Sequence, residues 1–140
     1  MSTLKVNTIQ DASGGNSSTA EQIAQGRAKA WLNLNCSGTA ALRDSFNVSS
    51  ITDNATGDFT VTFANAMPNI NYAPVASCSG LVLTVGDENI NLRVQAYPFM
   101  SAAGNTVSPT TSAFRINFSN VSTDGFSRDP DHALVAVFGD

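Results

Sequence analysis

Charge is scarce in this 140-residue chain: only 13% of residues are Asp, Glu, Lys or Arg, about half the share usual in globular domains. Basic residues are scarcest, with 7 Lys and Arg against 11 Asp and Glu and an isoelectric point near 4.6. That balance lacks the cationic footprint a nucleic-acid backbone requires, which excludes DNA or RNA as an expected partner. No apolar run approaches the roughly 18 residues needed to cross a bilayer, so no membrane insertion is expected. The start Met1-Ser2-Thr3-Leu4-Lys5 has no apolar signal-peptide core, so synthesis and assembly in a cytoplasm are expected. The two cysteines, Cys36 and Cys78, stand 42 positions apart with no CxxC, which favours two free thiols.

Motifs that carry chemistry are missing too. There is no GxSxG, GxxxxGK[ST] or GxGxxG, and the Gly14-Gly15 pair has no phosphate-holding Lys beside it. The single histidine, His132, lies in Arg128-Asp129-Pro130-Asp131-His132, where a solvated turn is a simpler reading than a metal or acid-base site. Asp53 to Asp58 offers oxygen ligands but lacks the glutamate that closes a calcium loop, so a hairpin turn is expected. No catalytic residue, metal site or cofactor is assigned. A polysaccharide hydrolase would need two carboxylates brought together, with Asp87, Glu88, Asp129 and Asp131 as the available groups.

What is present is neutral hydrogen-bonding capacity. Asn, Ser and Thr together make up 43 of 140 residues, or 31%, beside 42% hydrophobic residues. Ordinary hydrophobicity with a net charge of only -4 argues for folding over disorder.

Period-two alternation dominates the chain. Ile90, Leu92, Val94 and Ala96 share one face of their segment and Asn91, Arg93 and Gln95 the other; Phe59 to Phe63 and Phe114 to Phe118 repeat the pattern. Further strands are expected at Ala30–Asn35, Phe46–Ile51, Tyr72–Cys78, Leu81–Val85 and Ala133–Phe138, with residues 46–63 forming a hairpin. Phe59, Phe63, Phe114 and Phe118 fall in phase and belong to a core. The fold class expected is all-β: an antiparallel β-sandwich or jelly-roll-like domain over residues 26–140, preceded by an N-terminal arm, linker and short helix over 1–25. In that segment Leu4, Val6 and Ile9 lie on an extended arm, Asp11 to Ser18 has linker composition, and Thr19 heads a helix with Gln22 at the capping-box position and Gly26 as its stop. Tyr97 is out of phase with its strand, so Tyr97, Phe99 and Asn105 are candidate ligand contacts for a sugar, a subunit contact being the plainer role for the tyrosine.

Two stretches go beyond pattern. Leu4-Lys5-Val6-Asn7-Thr8-Ile9-Gln10-Asp11-Ala12-Ser13-Gly14-Gly15 with Gly26-Arg27-Ala28-Lys29-Ala30-Trp31-Leu32-Asn33-Leu34-Asn35, and Arg43 to Phe63 with Ala66-Met67-Pro68-Asn69 and Asn71-Tyr72 behind it, resemble tail-fibre-like virion appendage proteins of tailed phages, especially marine ones. The resemblance covers roughly residues 4–75. It implies a non-enzymatic structural protein on the virion surface, a homotrimer assembled in the host bacterial cytoplasm. Its partners would be itself and other virion proteins of capsid or tail, with a host surface glycan where the role includes attachment. Fibre proteins of this kind are commonly longer, whereas Met1 stands three residues before the matching stretch. A tail-fibre tip, a short fibre, or a capsid knob or decoration (cement) protein is the resulting expectation, with Leu4, Val6 and Ile9 on a virion-anchoring arm in the last two cases.

Overall fold

A computed structural model describes residues 2–15, 17–79, 92–96, 99–100, 106–120 and 127–139. Along the chain run β1 (Thr8–Ile9), β2 (Ser18–Thr19), α1 (Ala20–Gly26), β3 (Ala30–Asn35), β4 (Ala41–Phe46), β5 (Val48–Ala55), β6 (Asp58–Phe63), β7 (Ala73–Ser79), β8 (Leu92–Ala96), β9 (Phe99–Met100), β10 (Thr106–Val107), β11 (Ala113–Asn120) and β12 (His132–Phe138). Two four-stranded antiparallel sheets, ordered β4-β3-β12-β7 and β5-β6-β11-β8, pack face to face as the expected sandwich. The strand expected at Leu81–Val85 lies outside the described residues.

Alternation builds the core directly. From the first sheet, Ala30, Leu32 and Leu34 of β3 and Ala133, Val135 and Val137 of β12 point inward and are buried. They meet Phe59, Val61 and Phe63 of β6 and Phe114, Ile116 and Phe118 of β11. Each large apolar side chain so enclosed contributes about 1.5–3 kcal/mol. Phe63, Tyr72 and Phe114 cluster with ring centroids 5.4–6.1 Å apart. The Tyr72 hydroxyl donates to the carbonyl oxygens of Thr110 and Ala113 at 2.8 and 3.1 Å, which satisfies its polar end within an apolar site.

The chain passes from the first sheet to the second at Asn47, between β4 and β5. A strand running Phe46–Ile51 is expected from alternation; instead that run is broken at Asn47, whose φ of 55° is left-handed. Asn tolerates this conformation better than most residues. Its Nδ2 donates to the carbonyls of Lys29 and Asn65, and its Oδ1 accepts the Asn65 backbone N–H at 2.8 Å. The hairpin therefore spans β5 and β6 alone, turned through Thr56-Gly57. Gly57, at φ 69°, sits against the end of β11: a Cβ there would press into the Phe118 carbonyl and approach the Arg128 backbone at 2.7–2.8 Å. The Gly57 N–H donates to the Asp129 carboxylate at 2.6 Å, and its carbonyl accepts from the Phe118 N–H at 2.7 Å.

The N-terminal segment is built differently. β1 pairs with β2 as a minimal hairpin, and the intervening turn is organised by Asp11, whose Oδ1 accepts the N–H groups of Ser13 and Gly15 at 3.0 and 2.9 Å. The linker composition thus resolves into an Asp-capped turn. α1 carries the capping box expected for it: Thr19 Oγ1 accepts from the Gln22 N–H, and Gln22 Oε1 accepts from the Thr19 N–H. No described residue from Ser2 to Lys29 is buried.

Candidate interaction surface

Every inward residue of β3 and β12 has an outward neighbour, and several of these are large and apolar. Trp31 stands directly across from Phe46 on β4 and from Ala136 on β12, and Ala136 from Val75 on β7. The result is a row, Phe46, Trp31, Ala136, Val75, running across the outer face of the first sheet, with Leu134 in the adjoining row. Phe46 is 54% exposed, Val75 60%, Leu134 49% and Trp31 37%. At about 150–250 Å² for a large side chain, these fractions amount to a patch of roughly 300–500 Å². That is within the range of the largest, often functional, apolar patch of a monomer. Trp31, Val75, Ser77, Leu134 and Ala136 line a shallow, open depression of about 350 Å³. A smaller hollow of about 170 Å³ lies between Phe46 and Arg27, Ala28 and Lys29, so the patch continues to the root of the N-terminal segment.

The rim is polar. Asn33 lies between Asp44 and Leu134 in the next row. Its Oδ1 is buried and accepts no hydrogen bond from the described residues, an arrangement that costs about 1–3 kcal/mol until a donor reaches it. Beyond it Arg43 ties three strands together: its guanidinium donates to the Asp131 carbonyl at 2.7 Å and to Asn35 Oδ1 at 2.9 Å, and lies 2.9 Å from His132 Nδ1. Asp44 is exposed and accepts only the N–H of its neighbour Ser45 among the described hydrogen bonds.

The sequence-nominated residues fall elsewhere. Tyr97 and Asn105 lie outside the described residues, as do Asp87 and Glu88; Phe99 belongs to β9, paired through its backbone with Val107 of β10. Asp129 is engaged by Gly57, Pro130 is fully buried, and His132 opens β12 beside Arg43, so the 128–132 cluster serves the fold. Asp58 is held by Arg115, whose Nε and Nη2 donate to its two carboxylate oxygens. Among the described residues no three His, Cys, Asp or Glu side chains converge on a point where a metal ion could sit, and no helix is long and apolar enough to cross a membrane. Cys36 and Cys78 are both free; desolvation, helped by the nearby Asp129 carboxylate, pushes the Cys36 thiol up to about 12, and burial raises Cys78 as well. Leu4, Val6 and Ile9 are 83%, 42% and 54% exposed, and Ile23 of α1 is 43% exposed.

Trp31, Phe46, Val75 and Leu134 escape a reading that collects in-phase apolar residues as core. The signal lies in the same alternation: Trp31 is out of phase with Ala30, Leu32 and Leu34, and Leu134 with Ala133, Val135 and Val137. Comparison with protein-family models, with curated proteins and with solved structures yields no match to this chain.

Proposed function

We propose that this chain is a non-enzymatic structural appendage of a tailed-phage virion, working as a homotrimer that contacts other virion proteins. The observation that supports this reading is the apolar row on the outer face of the first sheet, a surface of interface composition on a domain poor in charge. The exposed Leu4, Val6 and Ile9 support it too, since a segment that leaves its apolar side chains at least two fifths exposed suits contact with another chain. The resemblance of residues 4–75 to tail-fibre-like proteins is what points to the phage particle. Sedimentation at micromolar concentration tests the assembly, and labelled antibody on purified particles tests the location. A trimer found on capsid or tail is the expected result; a monomer absent from particles overturns the proposal.

A further inference from the structure

We propose that residues 4–9 of one copy lie across the Phe46–Trp31–Ala136–Val75 row of the next, so that each copy lends its arm to a neighbour. This rests on the self-assembly in the reading above and is independent of where the assembly sits. The row crosses four strands, so at about 4.8 Å per strand its ends stand roughly 14 Å apart. An extended segment rises about 3.3 Å per residue, which sets Leu4 and Thr8 about 13 Å apart with Val6 between them on the same side. The two lengths therefore match.

Charge matches as well. Lys5 is the one charged residue between Ser2 and Gln10, and the carboxylate exposed beside the row is Asp44. A lysine stem is long enough to run along an apolar surface and bring its ammonium to that rim. The backbone N–H groups of an arriving arm, which project sideways from the extended chain, also supply donors of the kind that the buried Asn33 Oδ1 lacks. Within one chain Leu4 is 83% exposed while Phe46 and Val75 remain more than half exposed, so the arm does not cover its own row. Both halves of the contact recur in every copy. A contact between two different surfaces of identical subunits propagates head to tail and closes into a ring where the rotation permits.

The test uses full-length protein. Chains carrying Thr8→Cys and one mass tag are mixed with chains carrying Val75→Cys and another, under mild oxidation, since Lys5 beside Asp44 sets Leu4 at the Phe46 end and Thr8 over Val75; the native thiols, raised by burial, supply little competing thiolate. The expected product is the mixed disulfide between the cysteines introduced at positions 8 and 75, exceeding like-with-like pairs by about tenfold because docking raises the local thiol concentration. Leu4→Asp and Leu134→Asp should each weaken association by about tenfold or more, with the thermal midpoint unchanged at dilutions where the wild type is also dissociated. Association that persists without the mixed cross-link overturns the arm placement while leaving self-assembly standing. A wild-type monomer overturns both, and a cross-link formed only inside a doubly substituted chain shows the arm folding back on its own row, which also overturns the exchange.

Discussion

The two outer faces of the sandwich follow the same alternation and end in opposite chemistry. On the second sheet the outward positions are Thr60 and Thr62 of β6 and Arg115 and Asn117 of β11, crossed by the Arg115–Asp58 ion pair. On the first, Asn33, Asp44 and Ser77 flank a continuous apolar set of Trp31, Phe46, Val75, Leu134 and Ala136. One face completes its hydrogen bonds with its own side chains and with water; the other presents apolar surface that water solvates poorly. Periodicity therefore says which residues leave the core, and residue type says whether they leave it for solvent or for another molecule.

The strongest way to break the contrast is to remove the scaffold both faces share. Gly57→Ala forces a methyl group into the Phe118 carbonyl and the Arg128 backbone and should cost about 3 kcal/mol or more, lowering the thermal midpoint by about 10 °C. An unchanged melting curve would mean that the 127–131 segment does not close on the β5–β6 turn. Asn47→Ala strikes the corner between the sheets: it removes the bonds to Lys29 and Asn65 and leaves an alanine at a left-handed φ. A loss of about 2–3 kcal/mol in denaturant titration is expected. Asn47→Gly should recover about 1 kcal/mol of it, the backbone part.

Substitution on the faces themselves sharpens the comparison. Trp31→Ala should cost about 2 kcal/mol in the folded chain, because nearly two thirds of the side chain is covered, and lower association by about tenfold or more. Arg115→Ala should cost about 1 kcal/mol or less, as expected for a partly exposed ion pair, and leave sedimentation untouched. If both variants associate alike, the apolar row is not the interface.

The smallest effect is a pH dependence buried between the faces. The folded-state value of Cys36, about 12, exceeds its ordinary 9.0, so the folded protein holds a proton that the unfolded chain releases first. Stability from this thiol is intact below pH 9 and declines as pH rises from 9 towards 12. Cys36→Ala should flatten the dependence of the denaturant midpoint over that window.

Much of the sandwich was legible in the residues. Ala30–Asn35 forms a strand over its expected span, and Phe59, Phe63, Phe114 and Phe118 are buried as their phase demands. Thr19 and Gln22 form their capping box because both partners are local, three residues apart. β4 escaped because Ala41-Leu42-Arg43-Asp44-Ser45-Phe46 has no clean alternation, and its register with β3 slips between Asn33 and Leu34. There Arg43 reaches the carbonyls of Leu34 and Asp131, a partner 88 residues away that local pattern cannot announce. The corner at Asn47 was hidden for the same reason: its side chain bonds Lys29 and Asn65, each 18 positions distant. The interaction surface was half legible, since out-of-phase Trp31 and Leu134 could be seen in β3 and β12, whereas their alignment with Phe46 and Val75 depends on strand order.

That strand order has a mechanical consequence. β3, the strand the N-terminal segment leads into, lies inside its sheet with β4 on one side and β12 on the other, tied at its start by the Lys29 N–H to the Val137 carbonyl at 2.7 Å. A pull delivered through residues 2–29 acts along the axis of β3, while its ladder hydrogen bonds lie across that axis. They are loaded in shear on both flanks at once, so the strand yields only when many bonds rupture together. A tether anchored there resists tension far better than one attached to an edge strand, which can be peeled away one bond at a time.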